Sequence, residues 1–143
     1  MGAQINVNFS EISDSEMLDS IEYHLFPNAF LFPGTLISMA YRFRPMGDDV
    51  DSCLFEILML EPMPEGAAHP DPPEPLRLSV EQSYTEVDEL AWRGTVYDQD
   101  TGNLQLQQQG LKATRKGITL GNYQEARIRR FHLTLDEYLQ AQT

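Results

Sequence analysis

Two aspartates stand two places apart in Tyr97-Asp98-Gln99-Asp100-Thr101-Gly102-Asn103-Leu104, followed by Gln107-Gln108-Gln109-Gly110-Leu111. On a helix Asp100 comes three residues after Tyr97 and four before Leu104, so its carboxylate shares a side with Tyr97, Leu104, Gln107, Gln108 and Leu111. The pattern predicts an inward carboxylate. Taking an unpaired charge out of water is strongly unfavourable, and the remedies are hydrogen bonds, a cation or a metal. A second reading stays open on spacing alone: either aspartate could cap a helix or end a turn before Gly102. A calcium loop does not fit, because the glycine falls one place early and the twelfth position is Gln109 where a bidentate Glu is needed.

The elements that must hold these groups read as an α+β order. Ser13 and Glu16 have capping-box spacing, and Met17, Leu18, Ile21 and Leu25 follow at helical intervals, predicting a helix that Pro27 stops at Phe26. Asn28 to Gly34 is a short apolar run of strand type. From Leu36 to Arg44 side chains alternate, with Ile37, Met39, Tyr41 and Phe43 on one face; Cys53, Phe55, Ile57 and Met59 repeat the pattern after the turn-rich Pro45 to Asp51. The two runs predict an antiparallel hairpin with one face toward a core. Pro62 to Pro75 holds six of nine prolines and reads as an extended surface loop. Helical pattern returns from Val87: one helix around Tyr97 to Ala113, interrupted at Gly102, and one from Asn122 to about Gln140 with Ile128, Phe131, Leu135, Tyr138 and Leu139 as its apolar stripe and Gly121 or Asn122 as its cap. The length of 143 residues fits one domain, with residues 1 to 12 a flexible N-terminus.

Composition narrows the partners. A formal charge of −12 argues against nucleic acid and anionic lipid, although six of the ten basic residues lie between Lys112 and Arg130. No run approaches the roughly 20 apolar residues of a membrane span. Cys53 is the single cysteine, so no disulfide framework and no cysteine-bound iron–sulfur or zinc cluster can form within the chain. The expected location is the cytoplasm.

Three segments together resemble the α subunits of Rieske non-haem iron oxygenases, the aromatic-ring-hydroxylating dioxygenases. Leu25-Phe26-Pro27-Asn28 is similar to that family's FPN segment, Tyr97 to Leu104 with Gln108 to Leu111 to its iron-ligand helix, and Tyr123-Gln124-Glu125 with Arg127-Ile128-Arg129, Phe131-His132 and Leu135 to its terminal helix. The resemblance implies a helix-grip fold (Bet v1 or START-like), in which an antiparallel sheet wraps a long C-terminal helix, present here incompletely. It implies Fe(II) held by two histidines and one aspartate, with Asp100 as the aspartate and Gln107 or Gln108 steadying it. It implies a pocket for an apolar or aromatic molecule lined by Ile37, Met39, Tyr41, Phe43, Phe55, Ile57, Met59, Tyr97 and Leu104; from the residues alone those strand faces are plain core.

The departures shape the expected function. One cysteine cannot supply a [2Fe–2S] Rieske cluster, and His24, His69 and His132 match no ligand position of the family, reading instead as structural or exposed. The chain is therefore expected to be a fragment or split subunit of an oxygenase that hydroxylates an aromatic substrate with dioxygen and NAD(P)H, inactive alone and in need of a chain bearing the Rieske domain and the histidines. The competing reading is a stand-alone helix-grip module that binds a hydrophobic ligand or partner without catalysis. An incomplete sheet with an open edge predicts homo-oligomers.

Overall fold

The computed structural model describes residues 8–35, 37–64 and 66–141; Leu36, part of the predicted strand, and most of the predicted flexible N-terminus lie outside them. The described chain is α+β and helix-grip-like: a four-stranded antiparallel sheet with helices. It divides into two compact units, one formed by residues up to Pro70 with those from Gly121 onward, the other by Asp71–Leu120.

In the first unit a 3-10 turn (Phe9–Glu11) precedes helix α1 (Asp14–Leu18), which starts at Ser13. The predicted capping box is there: Ser13 Oγ accepts from the Glu16 amide, and the Glu16 carboxylate accepts from the Ser13 amide at 2.9 Å. The helix is shorter than its apolar spacing suggests. Its cap Asp19 is already extended, and Tyr23–Leu25 forms strand β1, because those residues find ladder partners in β2 (Ala29–Pro33) that outweigh a helix whose Leu18 and Ile21 stay exposed.

Strands β3 (Ser38–Met46) and β4 (Asp49–Met59) form the predicted hairpin, longer than expected at its tip. Met46 pairs with Asp49, leaving Gly47 and Asp48 as a two-residue turn, with Gly47 at φ +62° where a side chain would be strained. The order is β1-β2-β3-β4, so β4 is an edge among the described residues. Register places Met39 opposite Met59, Tyr41 opposite Ile57 and Phe43 opposite Phe55, while Phe30 and Phe32 of β2 face Tyr41 and Met39. All of these lie on one face, as the alternation predicts. The opposite face carries Arg42, Arg44 and Glu56.

Helix α3 (Ala126–Gln140) closes the unit. It begins four residues later than predicted, and neither Gly121 nor Asn122 caps it. Asn122 Oδ1 instead accepts from Arg129, and the Glu125 carboxylate accepts from the Gly121 amide. Its stripe meets the sheet through Phe131, packed on His24 and Phe26, and Tyr138, packed on Phe26.

In the second unit, residues through Val80 have no regular structure, as the prolines require. Two 3-10 turns (Tyr84–Glu86 and Asp88–Leu90) lead into helix α2 (Arg93–Ala113). Gly102 does not interrupt it. The unit is built around buried Val87, Leu90, Gly94 and Tyr97, which join the turns to the first two turns of the helix.

Candidate functional site

Helix α2 carries both aspartates in its interior, and neither caps it; its N-cap is Trp92. The two carboxylates have different fates. Asp98 is half-buried, and its Oδ1 accepts from the Tyr84 amide at 2.9 Å while Oδ2 accepts from Ser83 Oγ at 2.5 Å. Asp100 is exposed and has no hydrogen-bond or ion-pair partner among the described residues. The inward orientation expected for Asp100 is thus corrected. Tyr97 turns inward at 3% exposure and Gln108 is half-buried, while Asp100, Leu104, Gln107 and Leu111 are exposed. Asp98, legible in the sequence only as a possible cap, is the carboxylate that the fold provides with partners; the available signal was the Ser83-x-x-Glu86 capping box upstream, which is formed here.

At about 100° per residue, positions 96, 100, 104, 107 and 111 stack along one flank of α2. Val96, Leu104 and Leu111 are 40%, 50% and 45% exposed. The Asp100 carboxylate therefore stands in a row of open aliphatic groups, with Gln107 about two turns beyond it.

The sheet unit brings most of the predicted pocket residues together. Met39, Tyr41 and Phe43 share a face with Phe55, Ile57 and Met59. Phe43 stacks on Phe55 with centroids 4.6 Å apart, Tyr41 meets Phe55 edge-on at 5.3 Å and Phe32 meets Tyr41 at 5.1 Å. The row continues through Phe30 to His24, whose ring stacks on Phe30 at 4.7 Å. Met39 is buried, Met59 and His24 are exposed and the others are half-buried. Ile37 sits just before β3 and lines a small recess with Met17, Leu18 and Gly34. Tyr97 and Leu104 belong to the other unit. A second groove of about 270 Å³ lies between β1 and α3, lined by His24, Phe26, Phe131, Glu22, Arg127 and Arg130.

A family model of the ring hydroxylating alpha subunit (catalytic domain) matches residues 2–141. The chain belongs to that family. No curated protein and no solved structure matches it. The ring-hydroxylating subunits are non-haem iron oxygenases, so the chain carries an oxidoreductase catalytic-domain sequence over nearly its whole length.

Within this family member the FPN segment has a visible structural task. Asn28 brackets Phe43: its carbonyl accepts from the Phe43 amide at 2.9 Å and its Nδ2 donates to the Phe43 carbonyl at 2.5 Å, tying the turn at Pro27 to the aromatic strand. The family implies an iron centre. Among the described residues no three His, Cys, Asp or Glu gather as a metal-holding group. His24 is engaged with Phe30, Phe131 and the Pro27 carbonyl, at 3.3 Å from the last. One carboxylate does not hold ferrous iron, so the described residues do not make a complete site.

Proposed function

We propose that this chain is the downstream part of a ring-hydroxylating oxygenase catalytic domain, contributing the aspartate ligand, Asp100, to an Fe(II) centre whose two histidines come from outside the described residues. The parent reaction is the hydroxylation of an apolar, aromatic substrate with dioxygen and electrons from NAD(P)H, delivered through a Rieske domain on the same or a partner chain, in the cytoplasm. One observation carries the reading: Asp100 is an unpartnered carboxylate at the centre of the aliphatic flank Val96, Leu104 and Leu111. Apolar groups around a single charge suit a surface that another segment covers while supplying the charge with a partner. Gln107 lies on the same flank, about two turns further along the helix.

Titration with Fe(II) tests this. The chain alone is expected to show no tight, stoichiometric binding; mixed with a polypeptide carrying the Rieske domain and a histidine pair, it should bind iron and turn over, and Asp100→Ala should abolish both. Tight binding by the chain alone, or iron retained after Asp100→Ala, refutes the assignment.

The aromatic face of the sheet supports a second reading, a module that holds an apolar ligand without catalysis. Native mass spectrometry separates the two: a co-purifying hydrophobic ligand on an otherwise iron-indifferent chain favours the module.

A further inference from the structure

The two aspartates of Asp98-x-Asp100 are chemically equivalent in sequence and are treated differently by the fold. We infer that Asp98 is a positioning residue: it latches α2 onto the Ser83–Tyr84 turn and thereby fixes the rotation of the helix that decides where the Asp100 carboxylate stands. This inference rests on the reading of Asp100 as a metal ligand and adds to it the residue that aims the ligand.

Three contacts on one helix face refer α2 to the three consecutive residues Ser83, Tyr84 and Thr85 of the preceding turn. Gly94 packs so close that a Cβ there would sit 2.7 Å from the Tyr84 carbonyl oxygen and 2.9 Å from the Thr85 Cα. Tyr97 is buried with its ring centroid 5.6 Å from that of Tyr84. Asp98 then closes the face with two charge-assisted bonds, one to the Tyr84 amide and one to the Ser83 hydroxyl. The turn is itself held, since Ser83 caps it in a reciprocal box with Glu86.

Geometry converts this latch into an aim. Side chains two apart on a helix diverge by roughly 200°. With Asp98 committed to the turn, Asp100 is carried to the far flank, among Val96, Leu104 and Leu111. The close approach of Gly94 and the Tyr97 ring on Tyr84 set the distance between helix and turn; the two hydrogen bonds of Asp98 are directional and add a fixed rotation about the helix axis. Each Asp98 oxygen is already engaged, one by a hydroxyl and one by a backbone amide, whereas both Asp100 oxygens are open among the described residues.

The test uses the full chain. Hydrogen exchange at the Tyr84 amide should quicken by roughly tenfold or more in Asp98→Ala, and somewhat in Ser83→Ala and Asp98→Asn, and should not change in Asp100→Asn. A positional readout distinguishes aiming from mere stabilisation. With a nitroxide on Asp100→Cys in a Cys53→Ser background, paramagnetic broadening should fall on a narrow set of amides, and adding Asp98→Asn should spread or shift that set while circular dichroism reports the same helix content. Asp98→Asn preserves side-chain shape, which keeps the test informative where Asp98→Ala fails to fold. An unchanged Tyr84 exchange rate in the Asp98 variants overturns the latch, and an unchanged broadening pattern overturns the aiming role. Iron retained after Asp100→Ala strikes at the ligand assignment instead, and removes the functional half of the inference without touching either readout.

Discussion

Gly94 has the tightest surroundings of the described glycines. No rotamer can relieve a Cβ placed 2.7 Å from a backbone carbonyl, so Gly94→Ala must push α2 away from the Ser83–Glu86 turn. We expect a loss of about 1–3 kcal/mol, the usual cost of overpacking, measured by urea denaturation; a neutral result means that the helix and turn are not in contact in solution. A second prediction at this scale concerns acid. Hydrogen bonding from Arg42, with smaller help from Arg44, holds the Glu56 carboxyl below its ordinary value against the opposing effect of desolvation. A carboxyl with a lowered folded-state pKa stabilises the fold at and above the ordinary glutamate range, and that contribution is lost as pH falls through the folded value. Glu56→Gln should therefore lower stability slightly at neutral pH, leave it unchanged once pH is below the folded value, and so flatten part of the acid limb of the stability profile. The effect is small, because the arginines are half exposed. What the sequence conceals at this scale is the identity of partners: the Asp98 carboxylate is bound by residues fourteen and fifteen places earlier, in a stretch without periodicity.

At the scale of elements, legibility follows how local the stabilising interaction is. The β3–β4 hairpin is readable because alternation alone sorts Met39, Tyr41 and Phe43 from Ala40, Arg42 and Arg44. The start of α1 is readable because a capping box is a four-residue event. Its end is not, since β1 exists only by pairing with β2. The flank of α2 is half readable. Leu104, Gln107 and Leu111 do line up with Asp100, but Tyr97, sixty degrees or so round the axis, turns inward while its neighbour three places on does not. The stacked pair Phe43 and Phe55 joins the two longest strands; Phe55→Ala should cost roughly 2 kcal/mol, less than for a fully buried ring. Thermal unfolding that moves by only a degree or two would show that this face gains little from its aromatic contacts.

For the whole molecule the salient quantity is how few large apolar groups are buried: Met39, Val87, Leu90 and Tyr97 among the described residues. Open aliphatic surface and an eleven-residue edge strand invite a partner. We expect the isolated chain to sediment as a species larger than 16.3 kDa, and Leu58→Lys on β4 to shift it toward monomer, since a lysine on an edge opposes added strands. A wild-type chain that remains monomeric at high concentration counts against an unsatisfied sheet.

The proline-rich stretch bears on that same hazard. The β3–β4 ladder runs on as far as Leu60, whose amide donates to the Ser38 carbonyl at 2.9 Å, and two residues later the prolines begin. Pro62, Pro64, Pro70, Pro72, Pro73 and Pro75 each lack an amide hydrogen. The chain therefore loses its ability to template cross-β growth immediately downstream of its most amyloid-like run, Cys53 to Leu60. The imino acids act as gatekeepers, and replacing Pro62 and Pro64 with valine should shorten the lag before thioflavin-positive fibrils form.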